Sequence, residues 1–256
     1  MKRLSRGVLL LLAVAVVYLA LLPATWFDKI LQDMSQGTLA MTATTGTLWR
    51  GGGRLQALLP RGEAVTLAPV NWEISLFDLL TLHLHLTVRS SQGDKILLEA
   101  IWAPGSAAVR EASLDLPAAL LGALSPTLRE ADLSGQIALQ AHDIRVEGGH
   151  ATGKAQAIWI AAGSGLSRVR PLGNYQLDLA GKGTGLDMRL SSLGGALALD
   201  GSGRWIPGVK TSYRIVATPT ESKRQELAPL LRMLGNEITP GKYQLTIDGN
   251  VRALSR

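Results

Sequence analysis

The sequence predicts a mainly β protein. It reads as an N-terminal transmembrane helix followed by a strongly twisted, curled antiparallel β-sheet, half-barrel or groove-like, with one or two short helices. Three observations carry that reading. A charge-free run from Gly7 to Phe27 follows the basic residues Lys2, Arg3 and Arg6. Beyond it the chain alternates apolar and polar residues in short segments punctuated by many of its 28 glycines, the pattern of strands joined by turns. Helical periodicity over a full stripe occurs once, near the C-terminus.

The apolar run would reach roughly 30 Å as a helix, the thickness of bilayer hydrocarbon. The basic cluster before it favours a cytoplasmic N-terminus, and Trp26 suits the far interface. A cleaved signal peptide starts in the same way, but its cleavage site wants small residues at alternate positions. Leu22-Pro23-Ala24 places a leucine at one of them, so a retained anchor is the better reading. The organisation expected is an anchor over 1–27, a membrane-proximal connector over 28–40 in which Asp28 to Met34 extends the helix, and one exported β domain over 41–256.

Composition narrows the function. The chain has no cysteine, hence no disulfide framework and no thiolate metal site. The formal net charge is +6, and Lys2, Arg3 and Arg6 account for half of it. No basic block follows residue 6, so a nucleic-acid footprint is missing.

The first β segment is Met41 to Trp49, rich in threonine. Arg50-Gly51-Gly52-Gly53 then reads as a loose turn before a strand from Arg54. Trp72 to Leu80 reads as a strand running into a helical turn. Thr81 to Arg89 alternates strictly, with His83 and His85 opposite Leu82, Leu84 and Leu86. Lys95 to Trp102 returns after Gly93, and another strand ends near Leu114. Leu116 to Leu124 reads as a short helix with Pro117 in its first turn and Pro126 beyond its end. Strands follow through Leu133–Gln140, Ile144–Val146, Ala155–Ile160, Tyr175–Leu179, Leu186–Leu190, Ala196–Leu199 and Tyr213–Ala217. Leu227, Leu230, Leu231 and Leu234 form one helical stripe, stopped at Gly235-Asn236, with Pro229 limiting or kinking it. Lys242 to Asp248 is a last strand. Short connections imply antiparallel neighbours. A tryptophan closes a β segment at Trp49, Trp159 and Trp205, which hints at a duplicated sheet module.

No catalytic constellation emerges. His83 and His85 share a face as a two-histidine metal pair would, but a site needs three or four ligands, and His142 and His150 fall in or near turns. Gly163-Ser164-Gly165 and Gly201-Ser202-Gly203 lack the spacing of a nucleophile elbow. Gly181-Lys182-Gly183-Thr184 lacks the upstream half of a phosphate loop. Glu99, Glu111, Asp115, Glu130 and Asp132 show no pairing. The expectation is a protein that is not an enzyme, with no cofactor and no metal. The tryptophans pack a sheet face or pin turns, or line an open sheet that accepts an acyl chain or a partner strand.

The ordered set Gly46-Thr47-Leu48-Trp49-Arg50-Gly51, then Trp72 in Val70-Asn71-Trp72-Glu73-Ile74, then Pro171-Leu172-Gly173-Asn174-Tyr175, then Gly201 in Leu197 to Gly203, and finally Gly241-Lys242-Tyr243 resembles the type II secretion system protein N family. The resemblance spans nearly the whole chain. It implies an accessory component of type II secretion, anchored in the bacterial inner membrane with its C-terminal domain in the periplasm. That component would bind or scaffold other type II secretion components and have no catalytic residues. Lipid or hydrophobic-ligand handling on a concave β-groove is the alternative.

Overall fold

A computed structural model describes residues 17–59, 62–123, 125–206 and 211–249. Lys2, Arg3, Arg6 and most of the apolar run lie outside the described residues. Among those described, no helix is long and apolar enough to cross a membrane.

Residues 17–20 are helical and the chain breaks at 21–24, where Pro23 bridges to Thr47. A separate helix, α1 (Thr25–Met34), follows. Asp28 to Met34 therefore does not prolong a membrane helix. Trp26 is a half-exposed residue of α1. The cause is amphipathicity: Phe27 and Leu31 of α1 pack onto the sheet with Ala24, Met41, Val70 and Trp72, while Trp26 and Ile30 face outward.

All the strands among the described residues belong to one 14-stranded sheet, antiparallel throughout, in the order β1 to β12, then β14, then β13. They are β1 (Leu39–Gly46), β2 (Arg50–Leu58), β3 (Ala64–Ile74), β4 (Leu84–Ser90), β5 (Ile96–Ala103), β6 (Ser106–Pro117) and β7 (Leu133–Glu147). Next come β8 (His150–Ser164), β9 (Gly173–Lys182), β10 (Gly185–Gly195), β11 (Leu197–Trp205), β12 (Thr211–Pro219), β13 (Asn236–Thr239) and β14 (Lys242–Gly249). Up to β12 each strand pairs with the next one in sequence, as short connections require. The sheet is not closed into a barrel.

The helices are more numerous than predicted, though short. α2 (Leu76–Leu80) follows β3, α3 (Pro126–Glu130) precedes β7, and α4 (Arg224–Leu234) lies between β12 and β13. A 3-10 turn occupies Ala118–Ala123. Leu227, Leu230 and Leu231 of α4 are buried against Leu197, Ala217 and Tyr243, with Val169 and Leu172 beside them. Three of the four leucines of the stripe read from the sequence thus form the buried face, Leu234 being exposed at the helix end, and the helix runs through Pro229.

Several boundaries differ, each for a local reason. The first hairpin turns at Thr47–Trp49, tightened by Thr47 N–H donating to Arg50 O at 2.9 Å, so Gly51, Gly52 and Gly53 lie inside β2. β4 starts at Leu84 rather than Thr81, because the Ser75 hydroxyl caps α2 by accepting from Asp78 N–H and Leu82 turns the chain at φ 60°. His83 therefore lies in a loop and does not share a strand face with His85. Pro117 ends β6 instead of opening a helix. Pro126 opens α3, where its missing N–H is one of the first-turn orphans and the Ser125 hydroxyl caps Leu128 N–H. His142 sits within β7, and Gly201-Ser202-Gly203 within β11, not between strands.

Candidate docking surfaces

The N-terminal motif forms a junction between the first hairpin and the entering chain. Leu48 N–H donates to Leu22 O at 2.8 Å and Ala24 N–H to Gly46 O at 3.2 Å. The Trp49 indole donates to Leu19 O at 2.7 Å. Beneath it, the Trp72 indole donates to Leu48 O at 3.0 Å and its ring stacks on Phe27, centroids 4.4 Å apart and 8° from parallel. Gly51 must be glycine here, since a β-carbon would stand 2.5 Å from the Trp72 ring. Gly46, Leu48, Trp49, Gly51 and Trp72 are thereby brought together as a clamp.

The second motif gathers at the opposite end of the strands. Arg170–Pro171 is a cis peptide, after which Leu172 N–H donates to Ala162 O and Leu197 N–H to Leu172 O. The Tyr175 hydroxyl donates to Leu197 O at 2.9 Å, and burial pushes its pKa up to about 12. A side chain at Gly173 would meet Gly194 O at 2.7 Å, and one at Gly201 would meet Arg214 O at 2.8 Å. Pro171, Leu172, Gly173, Tyr175 and Gly201 thus hold β9 to β11 together under α4.

The register makes the two faces of the sheet unlike. Residues paired across neighbouring strands share a face. One row runs Trp72, Val88, Leu98, Ala112, Ala141, Ala155, Leu179, Met188, Gly203, Tyr213. A second runs Leu114, Leu139, Ala157, Leu177, Leu190, Gly201, Ile215, Leu245. The adjacent row on the other face runs Glu73, Thr87, Glu99, Glu111, His142, Lys154, Ala180, Asp187, Arg204. α1 covers the apolar face at β1 to β4 and α4 covers it near β12 and β14. Between them Leu98, Leu114, Leu139, Leu177, Leu179 and Leu190 are half-buried.

The two edges also differ. On β1, Met41 N–H donates to Asp28 Oδ1 at 2.6 Å and Leu39 N–H to the Ser35 hydroxyl at 3.0 Å, so α1 and the turn after it occupy the edge. At the other edge β13 is four exposed residues, and it pairs only with residues 242–244 of β14. No strand among the described residues pairs with 245–249 on the side away from β12.

The polar face carries ionic clusters the sequence reading missed: Asp187 meets Lys182 at 3.0 Å and Arg204 at 3.6 Å, and a second group centres on His85. His85 Nδ1 lies 3.3 Å from Asp78 and Nε2 lies 3.1 Å from Glu99, which also meets Arg110 at 3.1 Å. The signal lay in the Asp78–Leu79–Leu80 turn folding back on β4, which strand periodicity alone does not reveal. His83 Nδ1 contacts its own loop at Thr81 O, 2.8 Å away. Glu99 and Glu111 are cross-strand neighbours, although nothing in their spacing along the chain pairs them. Among the described residues, no three His, Cys, Asp or Glu side chains converge on a point that could hold a metal ion. Gln156 and Gln176 donate to Asp178 and hold its pKa below the usual carboxylate value.

A family model described as Type II secretion system (T2SS), protein N, matches residues 38–246. Comparison with curated proteins and with solved structures returns no match.

Proposed function

The chain belongs to the type II secretion system protein N family, and on that premise we propose that it is an inner-membrane accessory component whose β domain works by binding in the periplasm, without catalysis. A type II secretion accessory role and interaction with other type II secretion components follow from the family itself. The anchoring helix, the periplasmic side and the binding mode are the proposal.

The observation that carries it is the inequality of the edges. A sheet edge displays unpaired N–H and C=O groups that template another strand, and strand addition is a recurrent mode of peptide recognition. This chain fills the β1 edge with Asp28 and Ser35 and leaves the β13–β14 edge short and exposed. A partner segment therefore adds along the β13–β14 edge. The test is a chromosomal deletion complemented by the wild-type chain or by Ile238→Pro, which places a residue without an N–H on the exposed β13. Export of secreted enzymes should fall on deletion and recover only with the wild type. Normal export in the deletion strain would remove the proposal.

A second reading, hydrophobic-ligand handling, is favoured by the apolar rows. A sheet this wide curls rather than staying flat, and curling about the apolar face would make a trough between α1 and α4. An acyl chain would then lie over Leu139, Leu177 and Leu190. Photo-crosslinking of an acyl probe to the full chain, reduced by Leu177→Asp, would support it, and equal labelling of both forms would exclude it.

A further inference from the structure

We infer that the rim of the sheet around α2 is a membrane-contact surface, in which Leu76, Phe77 and Leu82 enter the interfacial layer of a lipid bilayer. The inference rests on the N-terminal anchor proposed above and adds a second point of contact to it.

β1 ends, β2 begins, β3 ends and β4 begins at one end of the sheet, by their register. The entering segment 17–24 and α2 therefore share a rim. Three contacts in series tie them: the Trp49 indole holds Leu19 O at 2.7 Å, Ile74 N–H donates to Trp49 O at 2.7 Å, and the next residue, Ser75, caps α2. β2 and β4 are two strand spacings apart, about 10 Å. Any surface entered by residues 17–22 is thus within reach of α2.

The rim carries one exposed ion pair, Arg50–Glu73, and beside it a set of apolar, uncovered side chains. Phe77 is 83% exposed, Leu82 72% and Leu76 41%, next to Val17, Tyr18, Leu19 and Leu21, each more than half exposed. An open recess beside them is lined by Leu79, Leu82, Leu84, Trp102, Ala103 and Pro104. Asp78, the one charge in α2, is turned toward His85 on the sheet and leaves the outer surface apolar. Leu82 reaches outward from a φ of 60°, a conformation that costs a branched side chain energy and is tolerated where function holds it. What covers the patch is indicated by the chain itself: residues 17–22, the described end of the apolar run, lie on this rim. A bilayer that receives that run also receives exposed apolar side chains at the same level.

The chain has no cysteine, so a single introduced one is a unique label site. Phe77→Cys, Leu82→Cys, Leu193→Cys and Leu12→Cys are each labelled with a polarity-sensitive fluorophore, and the full chain is reconstituted into phosphatidylethanolamine–phosphatidylglycerol vesicles with or without a nitroxide lipid. Leu193 is exposed and sits about 25 Å along β10 from the rim. Labels at 77 and 82 should be quenched several-fold more than the label at 193. Quenching at 77 and 82 no greater than at 193 overturns the inference. The label at 12 reports the anchor separately. Quenching at 12 alone defeats the rim contact and keeps the anchor, quenching at 77 and 82 alone keeps the contact and removes the anchor, and quenching nowhere defeats both.

Discussion

Replacing Trp72 by alanine should cost about 3–5 kcal/mol of stability, because it removes a large side chain from a site that cannot collapse. Trp72 is 2% exposed, lies across Gly51, and stacks on Phe27. Trp72→Phe keeps a ring for that stack but leaves the Leu48 carbonyl without its indole donor, a loss of about 1–3 kcal/mol when the acceptor stays buried. A double-mutant cycle with Phe27→Ala should return a coupling of about 0.5–1.5 kcal/mol, the range of aromatic pairs beyond their buried area. Against a total stability of about 5–15 kcal/mol these are large fractions. The assay is urea unfolding of the full chain in a mild detergent, followed by far-ultraviolet circular dichroism, since six tryptophans blur a fluorescence signal. Amide exchange at Ala24 and Leu48 should accelerate in Trp72→Ala, because their bonds join the entering chain to the hairpin that Trp72 supports. An alanine variant within about 1 kcal/mol of wild type, or a coupling of zero to Phe27, would refute the clamp.

Three further outcomes are expected. The Tyr175 pKa is raised by burial from 10.0 to about 12, so its contribution to stability is full below pH 10 and is lost as the pH rises toward 12; Tyr175→Phe should flatten that part of the stability–pH curve, and an unchanged slope would deny the residue this role. Asp28→Ala with Ser35→Ala uncovers two N–H groups on the β1 edge, and light scattering should register a higher average mass than wild type; equal masses would show that those side chains do not guard the edge. His85→Ala removes the contacts that join Asp78 to Glu99, and hydrogen exchange should rise in α2 while β9 to β12 stay protected; unchanged exchange in α2 would mean that Ser75 alone secures it.

Much of the sheet was legible in the sequence because strand signals are local. Leu84, Leu86 and Val88 repeat at period two, and Gly148-Gly149 and Pro104-Gly105 sit where the chain reverses. The stripe of α4 was equally plain from Leu227, Leu230, Leu231 and Leu234. The misread places are those where a side chain outside the pattern decides. Gly51 to Gly53 look like a turn to any rule about glycine, yet they lie flat in β2 because Trp72 needs the space above one of them. Thr81 and Leu82 fit the alternation of β4, yet the Ser75 cap of α2 draws them into a loop. Of the candidate residues, the two motif clusters were found as names in order, but their part as clamps was not visible.

By itself the sequence determined the strand alternation, the amphipathic helix near the C-terminus, the apolar N-terminal run and the family, since each depends on residues near one another or on their order. The tertiary structure alone decided which strands share a register. It thereby revealed that Val88, Leu98, Ala141, Leu179 and Met188, spread over a hundred positions of sequence, form one apolar row. It also decided that α1 lies on that row and occupies one edge of the sheet while the other stays short. Periodicity is a property of one strand, whereas a face and an edge belong to the whole sheet and arise only when hydrogen bonds have aligned its strands.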